Sequence, residues 1–139
     1  MKIRVVYFSQ TGKTAKVAQA MAKALGVTAE EVRSASPLDP ADLLLLGGAV
    51  YATFDHDLHP ELKGFISKLG PSTIKRAAVF STGFSQDNSR RILGLLKKRN
   101  LTVSEEFFHS KGQFLFFNFG HPNGKDLLSA VEFARRMVK

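Results

Sequence analysis

Apolar residues along this chain fall into two alternating kinds of run. Short, nearly unbroken runs are each followed by a longer stretch in which apolar positions recur every three or four residues. Residues 3–8 are the first short run, broken only by Arg4, and read as a strand buried on both faces, as parallel sheets require. Residues 14–25 then switch to helical spacing. Val17, Ala18, Met21 and Leu25 form the apolar face, Lys16, Gln19 and Lys23 the wet one, and Gly26 supplies a C-terminal stop. Residues 27–33 predict a weaker strand. The Pro37-Leu38-Asp39-Pro40 stretch leaves no room for a full second helix, so the second crossover is expected to be short or irregular. Residues 43–46 are the most apolar run and predict a central strand ended by Gly47 and Gly48. Leu58, Leu62, Phe65, Ile66 and Leu69 carry helical spacing, with Pro60 in the first turn and Gly70-Pro71 past the end. Residues 77–80 predict a fourth strand, followed by a Ser81-Thr82-Gly83 turn and a helix around Ile92, Leu93, Leu95 and Leu96. Residues 102–108 predict a fifth strand. After an irregular Phe-rich stretch, Leu127, Leu128, Val131, Ala134 and Val138 mark a terminal helix. Strands alternating with helices imply an α/β fold, a parallel sheet with helices on both faces.

Composition narrows the chemistry. The 139 residues, 44% of them hydrophobic, suit one domain spanning 1–139. There is no cysteine, which removes disulfides, thiolate metal sites and thiol nucleophiles. The first apolar run is too short for a signal sequence or a membrane span, so a cytoplasmic protein is expected. A formal charge of +8 favours an acidic partner, a nucleic acid or an anionic surface, although basic residues also simply coat solvated faces. The densest cluster, Arg90, Arg91, Lys97, Lys98 and Arg99, falls on a predicted helix, where exposure is ordinary.

In an open α/β sheet the ligand crevice lies beyond the carboxyl ends of the strands, where strand order reverses. The loop after the first strand reads Ser9-Gln10-Thr11-Gly12-Lys13-Thr14 and opens onto a helix start. Free N–H groups, a positive dipole end, three hydroxyls and a glycine make a phosphate site there, where a plain capped helix needs only one Ser or Thr. Gly12-Lys13-Thr14 imitates the end of a Walker A motif, but the glycine required five residues earlier is Tyr7. The loop has too few glycines for a dinucleotide fingerprint. A receiver domain would need acidic residues where Phe8-Ser9 and Gly47-Gly48 stand, and a low-molecular-weight phosphatase would need a cysteine.

The same six residues match the pattern [ST]-x-T-G-x-T, and on them the chain resembles the flavodoxins. Gly47-Gly48-Ala49-Val50-Tyr51 is similar to that family's first flavin-ring loop, and Ser81-Thr82-Gly83-Phe84 to its second. Lys111-Gly112 followed by Gly120-His121-Pro122-Asn123 resembles the tail of small bacterial flavodoxin-domain proteins. The resemblance implies a three-layer α/β/α sandwich with a five-stranded parallel sheet of order 2-1-3-4-5, and non-covalent flavin mononucleotide (FMN) as cofactor. It implies that Ser9, Gln10, Thr11, Gly12, Lys13 and Thr14 wrap the phosphate. Tyr51 and Phe84 would wall the ring, and backbone groups of Ala49, Val50, Ala52, Thr82 and Gly83 would meet its polar edge. No residue is given a catalytic role and no metal is expected.

Departures from the family pattern carry expectations of their own. The chain has no Trp to serve as an indole wall, and no glycine lies between Ala49 and Lys63, where flavodoxins commonly have one that permits the peptide flip stabilising a semiquinone. Its net charge is basic where flavodoxins are typically acidic, which points to an acidic redox partner. His56 and His59 with Asp55, Asp57 and Glu61 imitate a metal cluster, but the spacing has no third supporting motif. The segment from 107 to 119, around His109 and just before His121, holds six of the twelve Phe and is suited to core packing or to an apolar interaction patch.

Three functions compete. An electron carrier fits best, since the flavin supplies the chemistry and the protein binds and tunes it. A flavoenzyme resembling the flavodoxin-like protoporphyrinogen dehydrogenases would need a long insertion near the C-terminus, for which there is no room. A basic nucleic-acid-binding module would have no use for a complete phosphate loop.

Overall fold

Strand and helix alternate in the computed structural model, which describes residues 1–10, 12–51, 57–83, 87–110 and 124–139. The elements in chain order are β1 (Ile3–Tyr7), α1 (Lys13–Leu25), β2 (Ala29–Glu31), β3 (Ala41–Gly48), β4 (Val50–Tyr51), β5 (Asp57–Leu58), α2 (Pro60–Ile66), β6 (Ile74–Thr82), α3 (Asp87–Lys98), β7 (Phe108–Ser110) and α4 (Gly124–Val138). Five of the strands form a parallel sheet in the order β2-β1-β3-β6-β7, which is 2-1-3-4-5 when only those strands are counted. Strand order therefore reverses between β1 and β3.

The period-two pleat of the central strands explains the three layers. Val5, Leu43, Leu45, Ala78 and Phe80 point to one face and pack with Val17 and Met21 of α1 and Phe133 and Met137 of α4. Val6, Leu44, Leu46, Ala77 and Val79 point to the other, against Leu62 and Phe65 of α2 and Ile92 and Leu96 of α3. Both faces are covered, so the strands read as continuous apolar runs.

The crossover from β2 to β3 contains no helix among residues 32–40, as the proline-bounded loop implied. Arg4 holds it in place. Only 4% exposed in the middle of β1, its guanidinium donates to both carboxylate oxygens of Glu30 on β2, at 2.9 and 2.8 Å, and to the Asp39 carbonyl at 2.9 Å. The one charge in the first strand is thus the clamp for the neighbouring edge.

Several elements depart from the pattern-based reading. Gly47 and Gly48 continue β3 instead of ending it, because a Cβ at Gly47 would sit 2.0 Å from the Phe80 ring, and one at Gly48 would sit 2.5 Å from Leu62. They are glycines of close packing, not of a turn. Ser81 and Thr82 likewise belong to β6, and the turn begins at Gly83. Leu58 lies in β5, which pairs antiparallel with β4 through Val50↔Leu58 and Tyr51↔Asp57, so α2 starts only at Pro60. The fifth strand is interrupted: Val103 bridges to Ala77, and regular pairing resumes at Phe108 opposite Phe80. Three steps along β6 face five along the partner, so two residues bulge out. A turn in which the Ser104 hydroxyl accepts from the Glu106 N–H at 3.2 Å draws the chain off the sheet there. Of the Phe-rich stretch, Phe107 packs on the α2–α3 core and Phe108 on the α1–α4 core, and the residues from 111 to 123 lie outside the described ones.

Candidate functional site

At the carboxyl end of the sheet the apolar interior gives way to hydroxyls. β6 carries one on each face: Thr82 turns toward α1 and Ser81 toward α3. The Thr82 and Thr14 hydroxyls lie 2.6 Å apart and are buried, which ties the start of α1 to the end of β6. On the other face the Ser81 and Ser89 hydroxyls are 2.6 Å apart, and Ser81 Oγ lies 2.7 Å from His109 Nδ1.

Ser9, Gly12 and the first turn of α1 carry features that an anion site needs. Gly12, the N-cap of α1, has φ +87°, and a Cβ placed there would meet nothing within 4 Å, so the cradle is open as well as left-handed. Its N–H donates to Ser9 Oγ at 3.0 Å, which leaves the Ser9 hydroxyl proton available to a ligand. No side chain among the described residues caps α1, and its first turn contains no acid. The orphan N–H groups and the positive end of the dipole therefore face outward beside Lys13. This donor set fits a terminal phosphate. Thr14 takes a part the motif does not announce, since its hydroxyl is shared with Thr82. Thr11 lies outside the described residues.

The turn after β6 is tied by three bonds. The Gly83 N–H donates to the Ser110 carbonyl at 3.1 Å, the Asn88 amide donates to the Thr82 carbonyl at 2.8 Å, and His109 Nε2 lies 3.1 Å from the Gly83 carbonyl. Gly83 has φ +125°, and a Cβ there would press on Asn88 at 2.8 Å, so glycine is required twice over. The Thr82 and Gly83 carbonyls each meet one polar group within the protein, which fixes where the loop departs. Phe84 and Ala52 lie outside the described residues. The backbone of Val50 and Tyr51 forms β4, with Ala49 buried just before it.

Of the residues that imitate a metal cluster, His59 has another task. Its Nδ1 accepts from the Glu61 N–H at 3.1 Å and caps α2, while its ring stacks on Phe8 with centroids 4.2 Å apart. Asp55 and His56 lie outside the described residues. His109 is the residue whose part in this region sequence reasoning missed. Burial holds its imidazole below the ordinary value, with the bond to the Gly83 carbonyl opposing that shift.

A family model for the flavodoxin domain matches residues 4–125. The chain belongs to that family. An uncharacterised protein of Methanocaldococcus jannaschii is 30% identical to this flavodoxin-domain protein, across all of this chain and 99% of its own length. Among solved structures, an oxidised flavodoxin of Bacillus cereus superposes with a TM-score of 0.74 at 18% identity, covering 99% of this chain and 98% of that one. A short-chain flavodoxin associated with a bacterial microcompartment gives 0.76 at 19%, covering 99% and 97%. These two share the fold. No helix among the described residues is long and apolar enough to cross a membrane.

Proposed function

We propose that this flavodoxin-domain protein binds FMN non-covalently at the carboxyl end of its sheet and carries electrons with it, as a single cytoplasmic domain over residues 1–139. The observation that supports this best is the acid-free first turn of α1, with no side-chain cap among the described residues, behind the open Gly12 cradle and placed where strand order reverses. The phosphate would be held by Ser9, Gln10, Thr11, Gly12, Lys13, Thr14 and the first-turn amides, with Thr14 also bracing the loop through Thr82. The ring would lie between the loop that begins at Ala49 and the loop that departs from Gly83. Bound there, the flavin supplies reversible electron transfer, and the chain orients it and excludes water.

The partner reading follows from charge. A groove of about 290 Å³ between α2 and α3 is lined by Lys63, Arg90, Arg91 and Lys98 around Gly94 and Leu95. α3 begins directly after the second ring loop, so an acidic electron donor or acceptor seated there would stand beside the cofactor. Electrostatic steering would make its association rate fall with ionic strength.

The test is a fluorescence titration with FMN and with riboflavin. FMN binds more tightly on this reading, and Thr11→Val, which removes one hydroxyl from a charged acceptor, weakens FMN by roughly tenfold to a hundredfold, about 1.5–3 kcal/mol. Equal affinity for FMN and riboflavin would reject the phosphate assignment.

A further inference from the structure

The hydrogen bonds around His109 define the state of each atom. The Gly83 carbonyl can only accept, so Nε2 carries a proton and donates to it. In the neutral imidazole Nδ1 must then accept, and Ser81 donates to it across 2.7 Å. Ser81 Oγ in turn accepts from Ser89 across 2.6 Å. The chain has a second polarity. Ser89 Oγ also lies 3.3 Å from the Phe108 carbonyl, so a proton added at Nδ1 can donate to Ser81, Ser81 to Ser89, and Ser89 to that carbonyl. One proton from solvent enters at Nδ1, two hydroxyls rotate, and no polar group is stranded. Ser81 and Ser89 are both fully buried, so the chain cannot substitute water for either partner.

The Thr82–Gly83 turn that His109 holds is also the turn joined to the phosphate loop through Thr82 and Thr14. We propose that His109 is a positioning residue of the flavin site, whose neutral form seats the cofactor and whose protonation opposes binding. This rests on reading this end of the sheet as the flavin site. The cause is linkage: a ring lying over this end buries the imidazole further, burial disfavours its charged form, and by reciprocity the charged form disfavours the ring. Among the described residues, the charged groups at the same end include Lys13 on α1, Glu31 at the end of β2 with its partner Arg33, Glu61 on α2, Asp87, Arg90 and Arg91 on α3, and Lys125 and Asp126 on α4. Asp87 and Arg90 pair with each other at 3.2 Å. Nearer the middle of the molecule Glu106 pairs with Arg136, and Lys75 and Arg76 sit at the far end of β6. The imidazole's low value has burial as its cause among these surroundings, not a neighbouring charge.

The experiment is an FMN titration of the full chain between pH 8 and pH 5, comparing the parent, His109→Gln and His109→Phe. NMR of the His109 imidazole is followed with and without FMN. Gln retains an N–H donor and a carbonyl acceptor but cannot titrate, and Phe retains neither. The cofactor's own phosphate ionises alike in all three, so differences isolate residue 109. Each protein's affinity is referred to its own value at pH 8. Below the imidazole's titration the parent should lose affinity relative to His109→Gln, tenfold for each unit by which FMN lowers the imidazole pKa. His109→Phe should bind more weakly throughout, without a step. Identical pH profiles for the parent and His109→Gln, or an imidazole titration that FMN does not move, would overturn the inference alone. Absence of FMN binding at pH 8 in the parent would overturn the flavin reading beneath it.

Discussion

The two edges of the sheet are both three-residue strands, yet opposite chemistry holds them. β2 is fixed by charge, through the Arg4 guanidinium clasping Glu30 and the Asp39 carbonyl. β7 is fixed by neutral groups, through His109, Ser81 and Ser89. A guanidinium remains charged throughout the biological pH range, so the first clamp has one state. The imidazole and its hydroxyls have two, and the bond that ends their chain reaches the turn from which a proposed ring loop departs. Rigidity lies where the crossover has no helix to brace it, and adjustable chemistry lies beside the candidate site.

Breaking the charged clamp should have the largest effect. Arg4→Met keeps most of the apolar stem but leaves Glu30 without its partner and the Asp39 carbonyl without a donor. Because Glu30 is a third exposed, the loss should fall near the low end for a broken ion pair, about 2–3 kcal/mol of unfolding free energy. Urea denaturation checks it, and a loss near zero would mean that the crossover is held by packing alone.

The hydroxyl link between α1 and β6 should matter next. Thr14→Val and Thr82→Val each leave a buried hydroxyl unpaired, at about 1–3 kcal/mol apiece. The double variant removes both polar groups and should cost less than the sum of the singles. Strict additivity in that cycle would show that the two hydroxyls do not interact.

The smallest effect sharpens the contrast between the edges. The folded pKa of His109 lies below its unfolded value of about 6.5, so the unfolded chain binds a proton more readily than the folded one just beneath that pH. Stability is therefore full above about pH 6.5, declines as pH falls toward the folded pKa, and levels off below it. His109→Gln should flatten that window. Asp42, whose carboxylate the Lys2 N–H and Lys75 hold below its ordinary value, acts only in a more acidic window, so the two can be separated in one pH series.

Much of this fold is legible in the sequence because its signals are local. The apolar runs of β1, β3 and β6, the helical spacing of α1 and α3, and the phosphate-loop motif each lie within a contiguous segment. What pattern reading misses depends on contacts between distant segments. Nothing near Gly47 announces that the Phe80 ring needs its missing Cβ, so the glycine resembles a strand end. The two-residue bulge after Val103 shows only against the register of β6. The motif does not show that Thr14 also meets Thr82, 68 positions away. His109 has the same difficulty, since its partners Ser81 and Gly83 lie 28 and 26 positions back. A histidine that occurs opposite a serine in adjacent strands was the available signal, and it required the register to be known.

On the proposed function, the carboxyl end of the sheet holds a redox-active flavin. This is tested most directly by the visible absorption spectrum of the purified chain, incubated with excess FMN, freed of unbound ligand by gel filtration and then reduced. Flavin absorption should travel with the protein, bleach on reduction and return on reoxidation. Protein that emerges colourless after incubation with FMN would contradict the proposed function.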